Sequence, residues 1–308
     1  MTFVKIGLPG LGSTTEKIIR QAERAEADGF SSLWYATGVG LDPMTAMALA
    51  GRATTRIELG TAIMQTYACH PVLQASRSVA AAEAIGTPGR LTLGVGPSHE
   101  VFVDGMLGLS YEHPGRHTEE YIQVLAPLLR GDGVAFAGEE FRVNAGPIPG
   151  AAEVGVQLLV SALAPRLLRV AGTYADGTVL WLGNARAIAD HVAPRIRQAA
   201  TKAGRPTPRI VAGLPVAVHD DVDEARAAAA EQFSVYASLP NYLRLLERGG
   251  VNTPAEAAIV GNEASVADQI AALFEAGATD VWAAPFPVGP DKSASRSRTR
   301  ALLKELAG

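Results

Sequence analysis

Four short stretches of this chain set small residues beside a group that can bond a ligand or move a proton. They are Gly60-Thr61-Ala62-Ile63, Gly96-Pro97-Ser98-His99, Ala162-Leu163-Ala164-Pro165 and Trp181-Leu182-Gly183. His99 carries an imidazole that titrates near working pH, so it could supply or take up a proton; the plainer alternative is a loop histidine with no role. The small residues before Pro165 stand where a helix would begin, and free backbone amides at a helix start suit a phosphate. A tight turn without a ligand has the same local sequence. Trp34 and Trp181 read as core fillers rather than cofactor stackers.

Better-known chemical motifs fail on spacing. Gly7, Gly10 and Gly12 have the wrong order for a dinucleotide fingerprint, Gly94-Val95-Gly96 lacks the third glycine, and no phosphate-loop lysine follows. Gly96-Pro97-Ser98-His99-Glu100 lacks the closing glycine of a nucleophile elbow. His99-Glu100 has no second histidine at zinc-protease spacing, and Pro114-Gly115 interrupts His113 and His117. No metal site is expected.

The elements that must position these groups alternate. Strands are expected at Phe3 to Leu8, Ser32 to Ala36, Ile57 to Ile63, Leu91 to Val95, Val156 to Ala162, Thr178 to Leu182, Ile210 to Val218 and Asp280 to Pro285. Between them, helices open at a Ser13/Glu16 capping box and then at Asp42, Pro71, near Pro114, Pro165, Asn184 and Val222, and a last helix ends the chain. Glu26-Ala27-Asp28-Gly29 before Leu33-Trp34 is echoed by Glu275-Ala276-Gly277 before Val281-Trp282. Eight units of strand and helix are the count of a closed (β/α)8 barrel, and one such domain accounts for residues 1–308. Two departures read as insertions that wall the active site, after strands 4 and 7: a hairpin within 131–155, around Gly138, and a connection over 239–263 with its own helix. The four stretches then share one mouth, at the carboxyl ends of the strands.

Composition narrows the partners. A net charge of −4 gives no electrostatic reason to expect nucleic acid or an acidic membrane surface. The arginines at 296, 298 and 300 read as a solvated helix face. No apolar run approaches the roughly 20 residues that span a bilayer. Cys69 stands alone and no charged-then-apolar leader precedes the first strand, so the expected location is cytoplasmic.

Gly29-Phe30-Ser31-Ser32-Leu33-Trp34, Arg56 through Ala62, His70-Pro71, Gly89-Arg90-Leu91 through Gly96 and Ala175-Asp176-Gly177 together resemble the bacterial luciferase-like family. The resemblance spans nearly the whole chain and is to the branch using the deazaflavin coenzyme F420; Gly96-Pro97-Ser98-His99 and Ala175 through Leu182 are similar to an actinobacterial subgroup of deazaflavin-dependent oxidoreductases. It implies a (β/α)8 TIM barrel whose third strand ends in a bulge with a non-proline cis peptide between Ala62 and Ile63, behind the deazaflavin ring. It implies a phosphate loop at Ser161, Ala162, Leu163 and Ala164. Thr61, Ala62, Ile63, Gly96, Pro97, Ser98 and Trp181 complete the implied cofactor contacts, and His99 and Thr37 the implied catalytic groups. Sugar-phosphate and alcohol dehydrogenases of the family end strand two in Asp-His, where this chain has Thr37-Gly38, and His99 stands where the sugar enzyme has its acid. The expected activity is therefore a reductase passing hydride from F420 to an activated double bond of a small substrate, with His99 as proton donor and apolar walls at Val39, Met106 and Tyr236. A homodimer is expected. Open alternatives are a flavin mononucleotide (FMN) monooxygenase or reductase on the same barrel, and a deazaflavin-binding barrel without turnover.

Overall fold

Eight short parallel strands run β1 Ile6–Pro9, β2 Ser32–Tyr35, β3 Glu58–Thr61, β4 Leu91–Gly96, β5 Gln157–Val160, β6 Gly177–Trp181, β7 Arg209–Val218 and β8 Asp280–Pro285. Each pairs with the next; β8 pairs with β1, and β6 with β7, which closes the barrel. This computed structural model describes residues 4–37, 40 and 42–308. Phe3, Gly38 and Val39, named above for the first strand, the end of the second and the pocket wall, lie outside the described residues.

The strands are buried almost throughout because helices cover them from outside and side chains fill them from inside. Trp34 and Trp282 supply much of that filling. Both need a glycine opposite: a Cβ at Gly60 would lie 2.5 Å from the Trp34 ring, and one at Gly213 would lie 2.1 Å from that of Trp282. Trp34 is thus the core filler expected, its indole N–H donating to Ser32 Oγ at 2.8 Å.

Local signals place the helices. The first, α1 (Thr15–Ala27), is capped by Thr14, not Ser13: the Thr14 hydroxyl accepts the Lys17 N–H one residue later than expected. Near its end Glu26 accepts the N–H groups of Thr55, Arg56 and Ile57, fastening the helix under the start of β3. Burial pushes that carboxyl up, but the three amides prevail and hold it down at about 2. Asp42, His70 and Asn184 cap the next helices where expected.

Two further expectations need correction. The hairpin, Val134–Ala137 paired antiparallel with Arg142–Ala145, forms as expected but does not wall the mouth. It lies along α2 (Pro114–Leu129), whose Glu120 carboxylate accepts the N–H groups of Glu139, Glu140 and Phe141. The seventh barrel helix is Glu263–Glu275, not the helix at 222, because Val266, Ile270 and Leu273 are the residues that enter the main core. Helix Val222–Gln232 instead joins a separate apolar cluster with Phe233, Ala255, Ala258, Phe286 and Val288 above the rim of β7 and β8. The whole of 219–262 is therefore the insertion, and it includes a short strand, Ile259–Gly261, beside the end of β7. Among the described residues no helix is long and apolar enough to cross a membrane.

Candidate active site

A cavity of about 660 Å³ opens at the carboxyl ends of the strands. Its floor is the break in β3. After Gly60 the ladder to β4 stops and resumes only at Met64 and Gln65, which pair with Val95 and Gly96. Thr61 bridges the gap: its hydroxyl donates to the Gly94 carbonyl at 2.7 Å and accepts the Gly94 N–H at 2.9 Å. Between lie Ala62 and Ile63, joined by a cis peptide bond and facing the cavity. From the other side, Ala62 donates its N–H to the Tyr35 carbonyl, and Thr37 donates to that of Ile63. Both faces of the bulge are thereby held.

The second wall is Gly96, Pro97, Ser98 and His99. Ser98 takes φ of 62°, a left-handed conformation uncommon outside glycine, and the Tyr111 hydroxyl fixes it by donating to its carbonyl at 2.8 Å. His99 follows at the start of the short helix Glu100–Val103. Its half-buried ring lies 5.5 Å from the Tyr242 ring and 6.3 Å from that of Phe102, centroid to centroid. Burial among these apolar faces pushes its pKa below the ordinary 6.5. Thr37 lines the same space, with its hydroxyl 3.3 Å from the Met64 sulfur.

The third wall begins where β5 ends. Thr178 of β6 steadies it, donating to the Val160 carbonyl and accepting the Ala162 N–H. Ser161, Leu163 and Ala164 face the cavity, and the helix Pro165–Tyr174 starts there with no side chain capping it. Its first-turn amides and positive dipole end are therefore left for a ligand. Around them stand Arg166, Arg244 and Arg248. Arg166 pairs with Glu119 at 2.7 Å, Arg244 donates to the Asn241 side-chain carbonyl, and Arg248 meets His191. Among the described residues, those lining the cavity include no aspartate and no glutamate.

Of the residues picked from sequence, the structure brings Thr37, Ala62, Ile63, Gly96, Pro97, Ser98, His99, Ser161, Leu163 and Ala164 to one cavity. Thr61 and Ala162 sit just behind it, fully buried. Trp181 stands further off, stacked on Trp282 at 4.9 Å between centroids, and packs against Tyr236, which does line the space. Met106 and Tyr236 are on the wall as expected. Sequence reasoning passed over the three arginines and Tyr242. Arg244 and Arg248 had a signal, since they are four apart and share a face of the amphipathic helix Pro240–Arg248.

An α/β barrel with an interrupted third strand, an uncapped helix start after the fifth and a cavity between them defines a class of cofactor-binding enzyme scaffold. The chain matches the family described as luciferase-like monooxygenase over residues 1–280, and belongs to it. It is 28% identical over 256 residues to the 5,10-methylenetetrahydromethanopterin reductase of Methanolobus tindarius, covering 80% of this chain and 74% of that protein. Among solved structures, the coenzyme F420 dependent tetrahydromethanopterin reductase from Methanopyrus kandleri superposes with a TM-score of 0.78, at 22% identity over 98% of this chain and 97% of that one. The oxygenating constituent of 3,6-diketocamphane monooxygenase from Pseudomonas putida, in complex with FMN, shares the fold with a TM-score of 0.72, at 16% identity over 99% and 97%.

Proposed function

We propose that this chain is an F420-dependent oxidoreductase that passes a hydride between the deazaflavin and a small apolar organic substrate, acting as a reductase. The observation that carries this reading is the third wall. An uncapped helix start fits one phosphate, yet Arg244 and Arg248 also stand at this wall with only an amide and an imidazole as partners, Arg166 being already paired with Glu119. FMN brings a single phosphate. F420 brings a phosphate and a carboxylate-bearing tail, which matches the surplus of positive charge. The coenzyme F420 dependence of the tetrahydromethanopterin reductase from Methanopyrus kandleri supports the same cofactor; the FMN-bound neighbour shares the fold and keeps FMN as the alternative.

The residues present fit the group. Ala62 and Ile63 would back the ring, Ser161 to Ala164 with the first turn of the following helix would hold the phosphate, and Arg244 and Arg248 would take the tail. The bound deazaflavin supplies hydride chemistry that no side chain can. His99, in its protonated form, donates a ring N–H proton to the substrate as the hydride arrives, leaving a neutral imidazole that water recharges. Phe102, Met106, Leu107 and Tyr236 add an apolar stretch of wall against which a small apolar substrate would pack.

Fluorescence titration of the purified protein tests the cofactor. F420 should bind at least about tenfold more tightly than FMN, the worth of one additional charge-assisted contact. Equal or reversed affinities refute the assignment.

A further inference from the structure

The segment from Asn184 to Val192 lines no part of the cavity, yet it holds two of the pieces that do. Asn184 Oδ1 accepts the Ala187 N–H at 2.9 Å, and its Nδ2 donates to the Gly249 carbonyl at 3.1 Å. The approach is close: a Cβ at Gly249 would sit 2.5 Å from the Asn184 side chain. A single π-helical turn, Ile188–Val192, then turns His191 inward, where it is 2% exposed. One ring nitrogen, Nε2, lies 2.9 Å from the Leu163 carbonyl oxygen; the other, Nδ1, lies 2.6 Å from an Arg248 guanidinium nitrogen.

A carbonyl can only accept and a guanidinium can only donate, so the proton sits on Nε2 and Nδ1 is bare. Burial favours that neutral ring. The Leu163 carbonyl acts the other way, but Arg248 and Arg195, the latter donating to the His191 carbonyl at 3.0 Å, both oppose a second proton. One neutral imidazole thus couples the loop after β5 to the arginine helix of the insertion after β7, two segments far apart in sequence.

We propose that His191 is a positioning residue for the anionic end of the coenzyme, fixing where Leu163 and Arg248 stand relative to one another. The inference rests on the reading above that this wall receives a phosphate and an acidic tail. His191 itself lines no part of the cavity, so its loss should act on anion capture alone.

Two probes separate that role from general damage: F420, and its deazaflavin chromophore lacking phosphate and tail, each titrated by fluorescence into the full chain. The parent should prefer F420. His191→Phe removes both contacts and should weaken F420 by about tenfold or more while the chromophore stays within about twofold. His191→Gln keeps an amide N–H for Leu163, loses the bare nitrogen that faces Arg248, and should fall between. Arg248→Met, a change on the cavity surface, should reproduce most of the loss, and adding His191→Gln to it should cost little more because both act through one contact. Variants that lose both probes alike, or neither, overturn the proposal. A parent that binds the bare chromophore as tightly as F420 removes the anionic reading, and the proposal falls with it.

Discussion

The barrel holds arginines at both ends, and they are treated in opposite ways. At the amino-terminal end Arg209 plugs the interior: it bonds Glu58 at 3.0 Å, Gln157 at 2.5 Å and Asp280 at 2.7 Å, side chains that start β3, β5 and β8. Burial would lower its pKa, but Glu58 and Asp280 more than offset this and raise it above the ordinary value. At the other end Arg244 and Arg248 face a cavity lined, among the described residues, by no acid, and their bonds go to an amide and an imidazole. A cation whose donors are met by carboxylates is structural. One left with neutral partners beside a cavity is set for an anionic ligand.

The sharpest way to break that contrast is at the closed end. Arg209→Leu strands two carboxylates, of which Asp280 is 2% exposed, and should cost about 3–5 kcal/mol of stability in urea unfolding. F420 affinity of the folded protein should not move. A loss below about 1 kcal/mol would remove the structural assignment. Next in size, His99→Gln should lower turnover at saturating cofactor by about 100-fold while binding changes little. Its pH profile carries a sign. Because burial lowers the His99 pKa, the proton donor is present only below that lowered value, so parent activity should fall as pH rises through a midpoint under 6.5, and the variant should lose that limb. Turnover within a few-fold of the parent would shift the proton to Thr37 or water. The smallest effect sharpens the open end: Arg244→Ala should weaken F420 by about three- to tenfold, flatten the salt dependence of its binding and leave unfolding within about 0.5 kcal/mol.

The strand framework was legible in the sequence because each strand is a short apolar run bounded by glycine, proline or a cap, all local signals. Ala62, Ile63, Ser98 and His99 could be placed for the same reason: each lies at or just beyond such a strand end. The seventh barrel helix was misassigned because Val222–Gln232 and Glu263–Glu275 are both good helices, and only contact with the core tells them apart. The arginine wall was hidden for another reason. Arg166 belongs to one βα unit and Arg244 and Arg248 to an insertion about 80 residues later, and nothing short of folding brings them to one place. His191 reads as an ordinary helical residue until its π-turn aims it at Leu163.

Residues 219–262 form one continuous piece of chain, resting on their own apolar cluster above the rim and carrying Tyr236, Tyr242, Arg244 and Arg248 to the cavity. In evolutionary terms that makes the upper wall a cassette. Recombination across a single stretch of gene could replace the ligand-facing side chains together, while β1 to β8 and the plug below them pass unchanged to the descendant.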